Sequence, residues 1–321
     1  MPKLVLMPPQ NELRREWATR LARDLPEYTI VAPESDDDAR REIADADAAY
    51  GWVPPELLPL AAKLRWLQNP QVGPRPGYYY PELIAHPVVI CNPRGIFDDH
   101  IAQHIMMFVL ALARGLPFYM QAQRERRWDP NARKAPYLDL ANAAALVAGV
   151  GAIGHEAARM CLAFGMRVLG VDPRWEHEVA GVERHTPDEL DALLPQADVV
   201  IVAMPHTPET EGMWNARRFA LMKPSAYFVN IGRGKTTRID DLADAVEQGV
   251  IAGCGLDVFE TEPLPADHKL WGLPNVLLTP HVAVHGAANL DERQYAIVLD
   301  NARRFAAGQP LRTVVDKAMW F

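Results

Sequence analysis

Four apolar stretches in the second half of the chain end in polar residues that a strand interior would not tolerate. Val199–Ala203 runs into Met204-Pro205-His206-Thr207-Pro208-Glu209-Thr210, and Tyr227–Ile231 into Gly232-Arg233-Gly234. Ala252–Leu256 leads to Asp257 and on to Glu260-Thr261-Glu262-Pro263, and Val276–Leu278 to Thr279-Pro280-His281. If these ends share one edge of a sheet, an arginine, two acids and a histidine converge there. Such a set can move a proton on an oxygen while a hydride moves at the adjoining carbon of a carboxylate-bearing molecule. His281 suits the acid–base role because an imidazole titrates near neutrality. Glu262 suits the carboxylate that fixes its tautomer, with Glu260 as the rival. Arg233 offers a planar fork for a carboxylate.

A hydride needs a carrier, and the stretch from Ala143 to Asp172 supplies a place for one. The apolar run Ala144–Ala148 suits a fully buried parallel strand. Gly149, Gly151 and Gly154 then spell G-x-G-x-x-G: a tight turn, close approach of backbone to a pyrophosphate, and close helix–strand packing. The helix opening there presents free N–H groups and its positive end to phosphates. Ala157, Ala158, Cys161, Leu162 and Phe164 mark its core side, and Gly165 stops it. Strand Arg167–Val171 delivers Asp172, whose carboxylate can accept from ribose hydroxyls.

The elements that must position these groups alternate along the whole chain. Strands are expected at 3–7, 28–31, 48–50, 65–67 and 88–91, and helices from Asn11 through Leu25 and over 36–46 and 55–62. Helix 98–113 is a natural hinge, residues 117–142 read as an irregular arm or dimer contact, and a last helix covers roughly 287–307. Between them, helices near 187–194, 215–222 and 239–248 separate the second set of strands. Alternating β and α elements imply parallel sheets. Residues 69–81, rich in proline and glycine, form a rigid loop at a strand end, where the N–H groups of Val72 and Gly73 can face a carboxylate.

The 321 residues suggest two domains. A net charge of −8 with scattered Lys and Arg excludes nucleic acid and anionic membranes as expected partners. Cys91, Cys161 and Cys254 lie in apolar runs, as buried thiols in a reducing compartment do. The N-terminal residues lack a signal-peptide layout and no apolar run spans a bilayer, so a cytoplasmic protein is expected. His100 and His104, one turn apart beside Asp98 and Asp99, superficially suggest a metal, as do His281 and His285. Neither pair has a third ligand in a recognised spacing, so no metal is expected.

Taken in order, Gly-Val-Gly-Ala-Ile-Gly, Pro-His-Thr-Pro-Glu-Thr, Asn-Ile-Gly-Arg-Gly, Gly-Leu-Asp-Val-Phe-Glu-Thr-Glu-Pro-Leu-Pro and Thr-Pro-His resemble the D-isomer-specific 2-hydroxyacid dehydrogenase family over nearly the whole chain. The resemblance implies two doubly wound parallel-sheet α/β domains. A Rossmann-type NAD-binding domain, 99–287, is then inserted into a discontinuous flavodoxin-like substrate domain, 1–98 and 288–321. It implies hydride transfer between NAD(P)H and a small 2-keto acid or D-2-hydroxy acid. Arg233, Glu262 and His281 are then the catalytic trio. Gly149, Gly151, Ala152, Ile153, Gly154, Asp172, Met204, Pro205, Thr210, Ile231, Gly232, Arg233, Asp257 and His281 meet the cofactor. Val72, Gly73, Arg233 and His281 meet the substrate, and a homodimer is expected.

The chain departs from the family at Pro74-Arg75-Pro76-Gly77 with Tyr78–Tyr80, at Val284-His285-Gly286 and at Gln103. These differences leave the substrate side chain open. Asp172 repels a 2′-phosphate and favours NAD, while Arg174 could pair with that phosphate and admit NADP. The alternative from another class is a non-enzymatic NAD(H)-sensing protein on the same fold. Such proteins are expected to carry partner-binding tails, whereas this sequence ends compactly in Lys-Ala-Met-Trp-Phe.

Overall fold

The computed structural model describes residues 1–72, 77–133, 137–175 and 179–317. The chain forms two compact units, Met1–Ile96 with Ala288–Phe321, and Phe97–Ala287.

The first unit opens with β1 (Lys3–Leu6), α1 (Glu12–Asp24), β2 (Thr29–Val31), α2 (Asp36–Glu42), β3 (Ala48–Tyr50), β4 (Trp66–Gln68), α3 (Pro81–Ala85) and β5 (Val89–Cys91). Among the described residues its strands form one parallel sheet in the order β2-β1-β3-β4-β5, the flavodoxin-like order. Successive strand residues face opposite sides. Leu4, Leu6, Tyr50 and Trp66 therefore pack with Trp17 and Leu21 of α1, while Val5, Ala49, Leu67 and Ile90 pack with Ala39, Ile43 and Leu83. Asn11 caps α1 by accepting from the Arg14 N–H at 2.8 Å.

The second unit carries α4 (Asp98–Ala113), α5 (Leu116–Arg124), β6 (Ala144–Ala148), α6 (Ala152–Ala163), β7 (Arg167–Val171), β8 (Val182–His185), α7 (Leu190–Leu193), β9 (Val199–Val202), α8 (Ala216–Phe219), β10 (Tyr227–Asn230), α9 (Ile239–Glu247), β11 (Gly253–Leu256) and β12 (Val276–Leu278). Its parallel order is β12-β11-β10-β9-β6-β7-β8, the doubly wound arrangement that reverses at β6/β9. One face, with Val147, Val199 and Val229, packs on Phe108 of α4 and Ala157 and Cys161 of α6. The other, with Leu146, Val200 and Phe228, packs on Leu193, Phe219 and Leu242. Both faces are covered, which is why β6, β9 and β10 read as continuous apolar runs.

The chain returns to the first unit as α10 (Leu290–Ala306). Tyr295, Val298 and Ala302 of α10 complete the core beside α1. Trp17 stands edge-on to Tyr50 and Tyr295, with centroids 5.6 and 5.7 Å away. No single helix among the described residues is long and apolar enough to cross a membrane.

Two local expectations are corrected, and two features were not foreseen. Residues 55–62 hold only a 3₁₀ turn at Leu58–Leu60, because Pro59 has no N–H to extend it and the bonds close three residues back. The stretch 117–142 is irregular only in part: Gly115, at φ 67°, and Pro117 start α5. The edge strand β8 was not expected, since its residues are half-buried or exposed and carry no apolar run. Tyr78, Tyr79 and Tyr80 are core residues of the first unit. The hydroxyls of Tyr78 and Tyr80 donate to the carbonyls of Gly51 and Val53, at 2.8 and 2.9 Å. The three cysteines are buried, and desolvation pushes the Cys91 and Cys161 thiols up to about 12.

Trp17→Ala should remove about 3–5 kcal/mol from the first unit, read as a lower urea midpoint by circular dichroism. An unchanged midpoint would show that α10 closes the core without this contact.

Candidate active site

The sheet register of the second unit brings the chemistry together. Ala148 pairs with Val171 and Val202, Val202 with Asn230, Asn230 with Leu256, and Leu256 with Leu278. The residues that follow these partners emerge at one carboxyl edge: Gly149, Asp172, Met204, Ile231–Arg233, Asp257 and Thr279–His281. This is the edge where open α/β sheets hold ligands.

At β6 the turn is made by Gly149 at φ 91°, and a side chain there would strike the Met204 backbone at 2.7 Å. Gly151 caps α6, with no side chain bonded to the cap, and Ala152, Ile153 and buried Gly154 form the first turn. The first amides of an α-helix lack partners within it, so they suit an anion. A side chain added at Gly151 meets nothing within 4 Å, which leaves that approach open. Asp172 closes the set from β7. Its Oδ2 accepts from the Val150 N–H and its Oδ1 from the Arg174 N–H, both at 2.7 Å. A carboxylate has about four acceptor sites, so two remain for ribose hydroxyls. These residues fit a dinucleotide. Thr210 folds the loop after β9 by donating to the Pro205 carbonyl at 2.9 Å and accepting from the Thr207 N–H at 2.7 Å.

After β10, buried Asn230 organises the turn. Its Oδ1 accepts from the Gly232 N–H at 2.9 Å, and its Nδ2 donates to the Thr237 hydroxyl at 3.0 Å. Ile231 is buried, and Arg233 extends outward with its Nη1 donating to the Gly232 carbonyl at 2.7 Å. Crowding by protein lowers the Arg233 pKa from the ordinary value and the charge of Glu262 opposes this; the guanidinium stays cationic. Gly234 must be glycine, since a Cβ there would lie 1.9 Å from the Phe259 carbonyl carbon and oxygen.

Glu262 Oε1 accepts from the Phe259 N–H at 3.0 Å, and its Oε2 lies 2.8 Å from His281 Nδ1. Glu260 goes elsewhere: it accepts from Arg238 at 3.0 Å and from the Ile239 N–H at 3.4 Å, at the start of α9. Arg233, Glu262 and His281 thus gather, with Glu262 against the His281 ring and its charge acting on Arg233. His281 sits at φ 56°, a left-handed conformation rare for a residue with a side chain.

Asp257, 1% exposed, fixes that turn. It accepts from the Thr279 hydroxyl at 2.6 Å, the Val282 N–H at 2.9 Å and the Ala283 N–H at 3.0 Å. His104 of α4 completes the cluster, its Nε2 2.9 Å from Thr279 Oγ1. Asn230, Thr279 and His104 were not singled out by sequence for this work. Asn230 and Thr279 stand inside the motifs with no role assigned to them there, and His104 was weighed only in its pair with His100, which superficially suggests a metal. In the first unit, the Val72 carbonyl lies 3.5 Å from Asn92 Nδ2. Gly73 lies outside the described residues.

The family profile described as D-isomer specific 2-hydroxyacid dehydrogenase, NAD binding domain, matches residues 106–283. The chain belongs to the D-isomer specific 2-hydroxyacid dehydrogenase family. It is 30% identical to glyoxylate/hydroxypyruvate reductase A of Serratia proteamaculans, covering 94% of each chain. A family member from Aeromonas salmonicida superposes with TM-score 0.78 at 33% identity, over 98% of this chain and 99% of that one. The NADPH-dependent glyoxylate/hydroxypyruvate reductase of Sinorhizobium meliloti, solved with NADP and sulfate, superposes with TM-score 0.80 at 27% identity over the whole of both chains.

Gly234→Ala should destabilise the protein by about 1–3 kcal/mol or more through this backbone clash, whereas Gly272→Ala, which meets nothing within 4 Å, should stay within about 0.5 kcal/mol of the parent. Thermal midpoints of the two variants provide the comparison, and equal midpoints would deny the close approach at Phe259.

Proposed function

We propose that the chain reduces small 2-keto acids to D-2-hydroxy acids, or runs the reverse, with His281, Glu262 and Arg233 as its catalytic residues. The observation that carries this is the 2.8 Å contact of His281 Nδ1 with Glu262 Oε2, in a chain that belongs to this family. With Nδ1 occupied by the carboxylate, Nε2 is the nitrogen left to face a substrate oxygen. In reduction it gives its proton to the carbonyl oxygen, while Glu262 at Nδ1 holds the ring in orientation. The Arg233 fork binds the substrate carboxylate and sets the carbonyl in line. The bound dinucleotide supplies or takes the hydride.

The dinucleotide in this reading is held by the α6 amides and by Asp172. The Sinorhizobium relative is NADPH-dependent, whereas a carboxylate at the ribose repels a 2′-phosphate. NAD is therefore the proposed partner. Glyoxylate and hydroxypyruvate, named for the relatives, head the substrate panel, with pyruvate and phenylpyruvate beside them.

His281→Gln should lower kcat by about 10²–10⁴-fold while the Kd for NADH is kept. Loss of NADH binding with kcat preserved would contradict the assignment, and a parent protein that oxidises NADH and NADPH with none of the four acids would contradict the reaction itself. Asp172→Ala should weaken NAD more than NADP; an unmoved ratio of kcat/KM for the two would refute the ribose role.

A further inference from the structure

His104 enters the site from α4. Phe108, one turn on, meets its ring edge-on with centroids 4.9 Å apart at 89°. Phe108 is itself lodged against β11, where a Cβ at Gly255 would come within 2.6 Å of it. The imidazole is thereby aimed at the ends of β11 and β12. Its Nε2 lies 2.9 Å from Thr279 Oγ1 and 3.6 Å from Asp257 Oδ1. Thr279 has a single hydroxyl proton, and that proton goes to Asp257 at 2.6 Å. Toward His104 the same oxygen can only accept, so His104 carries its proton on Nε2. Burial holds its pKa below the ordinary imidazole value, with the charge of Asp257 opposing, so the donor is neutral at neutral pH.

We propose that His104 is a positioning residue for His281. Its Nε2–H orients the Thr279 hydroxyl toward Asp257, and the Asp257 carboxylate, so engaged, holds the Val282 and Ala283 amides and keeps His281 in its left-handed turn against Glu262. This role rests on the reading of His281 given above. Without the His104 donor the hydroxyl is free to rotate away, the carboxylate loses one of three partners, and the turn carrying His281 loosens.

The test compares His104→Leu with His104→Gln, whose amide N–H reaches the same hydroxyl. The Leu variant should lose about 10²-fold in kcat, the cost of a misplaced reacting group, with NADH affinity unchanged. The Gln variant should recover most of that loss, which a merely space-filling role would not produce. NMR titration of the His281 ring, displaced in the Leu variant and not in the Gln variant, supports the proposal without any substrate. Unchanged kcat together with an unaltered ring titration in His104→Leu overturns it. Should that variant fail to fold, Thr279→Val interrupts the same chain of bonds and is read in the same two ways. A parent protein that turns over no keto acid sinks the proposed reaction, and the ring titration then decides the role of His104 by itself.

Discussion

The carboxylate of Asp257 is the constraint on which the second unit's chemistry hangs. An ionised group with 1% exposure persists only when its lone pairs are taken up. It finds one hydroxyl and two backbone amides, all from the segment Thr279–Ala283. Desolvation makes those bonds costly to break, so the segment is tied to the end of β11. The left-handed His281, which costs about 1–2 kcal/mol for a residue with a Cβ, follows from that tie.

Asn230 does the neutral equivalent one strand over. Its amide spans the Gly232 N–H and the Thr237 hydroxyl, so the backbone before Arg233 is set from beneath. Loops fixed in this way still have to lie close enough for their side chains to meet. Glycine allows it: Gly149 and Gly232 both abut the Met204 backbone, and Gly234 abuts Phe259. Two buried polar side chains and three missing Cβ atoms therefore convert sheet register into the spacing of Arg233, Glu262 and His281.

Much of this was legible from residue order alone. Fully apolar runs such as Val199–Val202 marked central strands because both faces of the sheet are covered. The dinucleotide turn was legible because glycine spacing reports backbone geometry directly. Edge strand β8 was hidden for the opposite reason: half its environment is water, so its composition, Val-Glu-Arg-His, resembles a loop. The tyrosine run 78–80 was ambiguous, since a phenol serves equally in a pocket or a core; only the carbonyls of Gly51 and Val53 show which. The supporting bonds among His104, Thr279 and Asp257 join residues up to 175 positions apart, and no local pattern encodes such a pairing. Sequence favoured Glu262 with Glu260 as its rival, and the start of α9 separates them by claiming Glu260.

The core contact of Trp17 with Tyr295 has a consequence for synthesis. Residues 97–287 leave the ribosome before α10 exists, so the early strands wait with one face of their sheet covered by α1 but not yet by α10. At roughly 5–20 residues per second that interval is about 10–40 s. During it the intervening unit, whose contacts are contiguous in the chain, is free to finish first. The first unit to be translated is thus the last to be completed.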